Sequence, residues 1–231
     1  MINNTIEDYI LILKDLVKHS KLPTDSVLRK DHVIDWCFFN SSFVKSLDKN
    51  KEREWGQTTI NSNTKQWTTK LSETIVKELL ILFGKESSRP TPKKGENGKQ
   101  LKPDWETYDA IYEVKCRTYT INGTAGEKIL ATPWKYMELP KLYNKPLYIV
   151  LVAYQEQEAD EKFCLFQSQN PSRQTQIQFF KEMGIQYKKL TDLMKELIEK
   201  HDYTTQTINQ ICGWETTNYG YTPSTLSQDI Q

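Results

Sequence analysis

The sequence predicts an α/β fold, and three observations predict it. The run Pro146–Tyr154 (PLYIVLVAY) is apolar almost without interruption, as a central strand buried on both faces requires. Upstream, Leu71, Ile75, Leu79, Leu82 and Phe83 recur at helical spacing, and Gly84 supplies a natural helix end. Downstream, short strand and helix patterns alternate, the habit of a layered α/β domain. At 231 residues the chain can fill one sizeable core. We therefore expect a single domain over residues 1–231, with a helical and loop segment at 1–66, a core at 67–200 and a polar tail at 201–231.

Taken in order, residues 1 to about 20 set Ile6, Tyr9, Ile10, Leu13, Leu16 and Val17 on one side of an amphipathic helix. Asp31 to Leu47 carries Val33, Ile34, Trp36, Phe38, Phe39, Phe43 and Val44, a core-like run that suits another helix. Lys49 to Lys65 turns polar and reads as a loop, either an ordinary surface loop or, in a DNA-binding protein, one whose Asn and Gln side chains bond adenine edges. The helix of Trp67–Phe83 follows. Glu86–Lys102 holds two prolines, two glycines and five basic residues, the composition of an exposed connection and a candidate for phosphate contact.

Beyond the central strand we expect a short strand at Phe163–Phe166, a helix at Thr175–Glu182, a strand at Gly184–Tyr187 and a helix at Leu190–Glu199. The last of these turns Leu190, Leu193, Met194 and Leu197 inward. Past His201 the chain reads as a loose terminus, or as an arm that orders on DNA or a partner subunit.

The chemistry concentrates between Pro103 and Arg117. From Ile111 to Arg117 charged residues alternate with apolar or neutral ones, the period of a half-buried strand, so Ile111, Glu113, Lys115 and Arg117 share one face. Eight residues separate Asp104 from Glu113, room for a short strand and a tight turn at Tyr108-Asp109-Ala110 that brings the two acids together. Two carboxylates and a backbone carbonyl suit a hard divalent cation, which stabilises charge in phosphodiester hydrolysis. Lys115, about 6.6 Å further along the same face, can reach a nucleophilic water or the scissile phosphate. The plainer alternative is a hairpin with solvated charges.

Pro103-Asp104 followed by Glu113-Val114-Lys115 resembles the signature of the PD-(D/E)xK nucleases, which include most type II restriction endonucleases, and the resemblance covers Trp67 to about Ile198. It implies a restriction-endonuclease-like core, a central mixed β-sheet flanked by α-helices, here with an extra N-terminal helical segment. It further implies a Mg2+-dependent type II restriction endonuclease that cuts double-stranded DNA to 5′-phosphate ends as a homodimer, with Mn2+ able to substitute. Asp104, Glu113 and the Val114 carbonyl would hold the metal, and Lys115 would position the water. Glu73 on the preceding helix would assist, with Glu78 as the alternative. The segment after the strand would touch DNA through Lys128, Thr132 and Lys135, together with Arg117. Two alternatives stay open: a structure-selective repair or junction nuclease of the same fold, and a non-catalytic DNA-binding protein.

Thirty-one basic against thirty acidic residues give a formal charge of +1, so any DNA surface must arise from local segregation of charge. Four dispersed cysteines and three histidines suggest neither a zinc cluster nor a disulfide framework. GTAGEK at 123–128 lacks the spacing of an ATP-binding phosphate loop. No apolar run approaches membrane-spanning length and no basic leader opens the chain, so a cytoplasmic protein without membrane or ATP partners is expected.

Overall fold

The computed structural model describes residues 5–120, 124–167, 169–200, 214–217 and 220–223. Helix α1 (Ile6–His19) starts in a capping box, in which Asp8 N–H donates to the Thr5 hydroxyl (3.3 Å) and the Asp8 carboxylate accepts from Thr5 N–H (2.7 Å). The core-like run after it forms two short helices, α2 (Val33–Phe38) and α3 (Ser42–Lys45), because Phe39 takes a left-handed conformation (φ 54°) that ends α2.

The polar stretch expected as a loop is instead largely helix α4 (Lys49–Thr59), capped by the Asp48 carboxylate on the N–H groups of Asn50 and Lys51 (both 2.9 Å). Composition conceals this helix because its buried positions are Glu52, Gly56 and Thr59, with no apolar stripe. Glu52 accepts hydrogen bonds from Trp36 Nε1 (2.9 Å) and from the N–H groups of Tyr119 (3.1 Å) and Thr120 (3.2 Å), tying α4 to the chain beyond the catalytic hairpin expected from the sequence. Helix α5 (Trp67–Leu82) buries Leu71, Ile75, Val76, Leu79 and Leu80, and Gly84 follows it at φ 72°.

The connection Glu86–Lys102 contains a small antiparallel hairpin, β1 (Lys93–Lys94) with β2 (Gln100–Leu101). The main sheet then begins with β3 (Trp105–Glu106) and β4 (Ile111–Arg117), paired antiparallel and closed by a bond from Thr107 N–H to the Ala110 carbonyl (2.9 Å). Helices α6 (Lys128–Lys135) and α7 (Leu139–Tyr143) occupy the crossover to β5 (Leu147–Ala153). After β5 come α8 (Tyr154–Glu161), α9 (Pro171–Glu182), β6 (Ile185–Lys189) and α10 (Leu190–Lys200). The strand expected at Phe163–Phe166 is absent. That segment is a turn whose Leu165 is buried and donates its N–H to the Ala159 carbonyl (2.9 Å), so its apolar residues anchor a loop on α8.

The sheet is mixed, in order β3-β4-β5-β6, with β3 antiparallel to β4 and the other neighbours parallel. Alternation splits its side chains between two cores. Tyr112, Val114, Val150 and Val152 pack with the inward faces of α1, α2, α5 and α10, whereas Ile111, Leu147, Ile149, Leu151 and Ile185 pack with Ile129, Leu139, Tyr143 and Phe180 from α6, α7 and α9. The molecule is thus a mixed four-stranded sheet flanked by helices. The expectation for the tail falls mainly outside the described residues; within it, β7 (Trp214–Thr217) and β8 (Gly220–Pro223) pair antiparallel. Among the described residues no helix is long and apolar enough to cross a membrane.

Gly56 decides how closely α4 meets α5, since a Cβ there would lie 2.2 Å from two ring atoms of the buried Trp67. An exposed helical glycine replaced by alanine gains about 1 kcal/mol. Gly56→Ala is expected to do the reverse and lower unfolding free energy by about 1–3 kcal/mol, read from the denaturant midpoint.

Candidate active site

Strand β3 is two residues long, so β4 has a paired half and a free half along that edge. Along a strand every second residue directs its N–H and carbonyl to the same side. Tyr112 uses that edge to accept from Asp104 N–H (2.9 Å), and Val114, two residues on, points its backbone groups the same way. Among the described residues no strand meets Val114 there. The Asp104 carboxylate takes its place, accepting the Val114 N–H through Oδ2 at 2.7 Å.

Glu113 and Lys115 flank Val114 and project on the opposite face of the sheet from it. Lys115 Nζ donates to Glu113 Oε1 (2.5 Å) and approaches the Val114 carbonyl (3.3 Å). Glu113 is only 4% exposed, and its second oxygen, Oε2, is buried without a hydrogen-bond partner. The Tyr136 hydroxyl lies against this carboxylate; burial first, then Glu113 and Asp104, push the Tyr136 phenol above its ordinary value. Lys135 in turn donates to the Tyr136 hydroxyl (2.8 Å).

Helix α5 delivers Glu73 to the same place. Trp105 Nε1 donates to the Glu73 carbonyl (2.8 Å), locking β3 to the helix. Arg89, from the basic connection, pairs with the Glu73 carboxylate and donates to the Asp104 carbonyl (3.1 Å), while its guanidinium stacks 4.1 Å above the Trp105 ring. Burial, then the negative charges of Glu113 and Glu73, push the Asp104 carboxyl up to about 7, against the downward pull of the Val114 N–H and Lys115.

The structure therefore brings together Glu73, Asp104, Glu113, Val114 and Lys115. Glu78 sits elsewhere, accepting from Ser26 Oγ (2.7 Å) and the N–H groups of Val27 (3.1 Å) and Leu28 (2.9 Å). Of the residues expected to touch DNA, Lys128 and Lys135 are exposed on α6. Thr132 is buried and donates to the Lys128 carbonyl (2.9 Å), and Arg117 is buried in an ion pair with Glu158. Sequence reasoning missed Arg89, Trp105 and Tyr136. The basic composition around Arg89 was a signal, but no spacing links it to the hairpin.

Among the described residues no three His, Cys, Asp or Glu side chains converge as a metal cage. A cation here would rest on Asp104, Glu113 and the Val114 carbonyl, an all-oxygen set suited to a hard divalent ion. The unpartnered, buried Glu113 Oε2 fits that role, because a buried carboxylate oxygen without a donor is costly unless a cation meets it.

An acid raised as Asp104 is binds its proton more tightly folded than unfolded. Its contribution to stability is present in full below 3.8, the ordinary value, and is lost as pH rises to about 7. Denaturation of the metal-free protein between about pH 4.5 and about pH 7.5 should show a fall in stability that Asp104→Asn reduces, and equal pH slopes would contradict the assignment. Comparison with protein-family models, curated proteins and solved structures finds no match, so the reading of the site rests on its geometry.

Proposed function

We propose that this chain is a Mg2+-dependent endonuclease of the PD-(D/E)xK type, with a restriction-endonuclease-like core, that hydrolyses double-stranded DNA in the manner of a type II restriction enzyme. One observation carries the reading: the Asp104 carboxylate and the Glu113–Lys115 pair meet at the Val114 backbone on the unpaired edge of β4, with Glu73 near enough to help raise the Asp104 carboxyl. Charged groups of both signs held half-buried at a sheet edge do little for stability and much for chemistry.

In this reading Asp104, Glu113 and the Val114 carbonyl would hold magnesium, or manganese in its place, which would supply positive charge to neutralise the reacting phosphate. Lys115, steered by Glu113, orients the attacking water and offers a proton donor to the phosphate. Glu73 accepts a hydrogen bond from that water on the α5 side. Tyr136 closes the space behind Glu113 and excludes bulk solvent. In-line attack leaves a 5′-phosphate and a 3′-hydroxyl. Lys128 and Lys135, exposed on α6, supply phosphate contacts, whereas Arg117 and Thr132 support the wall behind them. A homodimer would present one such site to each strand of a two-fold symmetric target.

Supercoiled plasmid incubated with Mg2+ or Mn2+ should be cut, and Asp104→Ala or Lys115→Ala should slow cutting by about 100-fold or more. Ca2+ should support binding without cleavage, because its looser coordination misplaces the nucleophile. Cleavage unchanged in either variant would sink the assignment. In binding titrations at several salt concentrations, Lys128→Ala and Lys135→Ala should each reduce the slope of log K against log salt by about 0.9.

A further inference from the structure

The guanidinium of Arg89 reaches two acids of the site at once. Its Nη2 pairs with the Glu73 carboxylate, and its Nη1 lies 3.6 Å from Asp104 Oδ1 and 3.1 Å from the Asp104 carbonyl. Asp104 Oδ2 is committed to the Val114 N–H, so Oδ1 is the oxygen left for any other cation. Arg89 covers it. The residue stands on the connection between α5 and β3, outside both, and its side chain is 46% exposed, with the guanidinium carbon 4.1 Å from the centroid of the Trp105 ring. It can swing from the acids without disturbing the core, since its only anchors are those two acids and the Trp105 face among the contacts described.

We propose that Arg89 is a stand-in cation: in the metal-free protein it neutralises Asp104 and Glu73, and a divalent ion entering the site must displace it. This rests on the nuclease reading and adds to it a positioning residue. The physical reason is direct. Two acids and the buried Glu113 cannot remain charged together without a counterion, and a guanidinium is the one side chain that bonds two carboxylate-bearing residues in a fixed plane without ever losing its charge. Displaced from Asp104 but still stacked on Trp105, the guanidinium is set to bond a phosphate oxygen. Metal entry and substrate grip are thereby exchanged at one side chain, and the acids are shielded from one another until the metal arrives.

The test is Mn2+ binding to the full chain without DNA, by calorimetry and by the loss of free Mn2+ signal in electron paramagnetic resonance. Arg89→Ala, and Arg89→Gln as a shorter, charge-free variant that keeps a polar amide, should each bind Mn2+ about threefold to tenfold more tightly than the wild type, because the competing cation is gone. In the same variants, DNA binding in Ca2+ should weaken. Affinity for Mn2+ that is unchanged or lower in both variants, while Asp104→Ala abolishes wild-type binding, would overturn the role of Arg89 and leave the nuclease reading intact. Wild-type binding that Asp104→Ala does not reduce, or no Mn2+ uptake by any of these proteins, would instead overturn the metal site, and the role of Arg89 with it.

Discussion

The hydrogen bond from Val114 N–H to Asp104 is the constraint on which the site depends. A backbone donor at a sheet edge must find a partner in a strand, in water or in a side chain. Because β3 begins only at Trp105, opposite Tyr112, no strand among the described residues reaches Val114 two positions further along β4, and a carboxylate does. That single bond fixes where Asp104 stands. It also leaves the Val114 carbonyl free of strand pairing on the same side, met by Lys115 Nζ at 3.3 Å, with Glu113 and Lys115 flanking Val114 along the strand. A β3 that began earlier would have met Val114 with backbone and displaced the Asp104 carboxylate.

Around that bond the charges must balance. Asp104, Glu113 and Glu73 repel one another in a partly buried site, and burial with this repulsion is what lifts the Asp104 carboxyl. Lys115 answers Glu113, and Arg89 answers Glu73 and Asp104. The arrangement stores unfavourable electrostatics that a divalent ion would relieve, a stability cost that the two hydrophobic cores on either side of β5 carry.

The rest of the molecule holds these pieces in register. Helix α5 reaches the site through the Trp105 indole bond to Glu73, and α4 is tied to the chain beyond β4 by Glu52. On the far side of the site, Arg117 and Glu158 form a buried pair beneath Tyr154, whose ring centroid lies 5.4 Å from the guanidinium. A buried ion pair of this kind gives little net stability, and Lys162 joins it by donating to the same Glu158 carboxylate (3.1 Å). Gly126 accommodates it, for a Cβ there would fall on the Glu158 carboxylate.

What the sequence determined by itself was local. Periodicity announced α1, α5, α9, α10 and the central strand β5, because the 3.6 and 2.0 repeats are written within each element. The short hairpin and the neighbourhood of Glu113 and Lys115 were legible for the same reason, since a fixed strand period places residues two apart on one face. Helix α4 was not legible, because it is held by a capping aspartate, a buried glutamate and a close glycine contact rather than an apolar stripe. Tertiary structure alone chose Glu73 over Glu78 as the acid beside Asp104, brought Arg89 and Tyr136 to the site and turned Arg117 and Thr132 inward. Those outcomes depend on which residues from separate elements meet, and pairings between distant parts of the chain carry no signature in the spacing of one strand or helix.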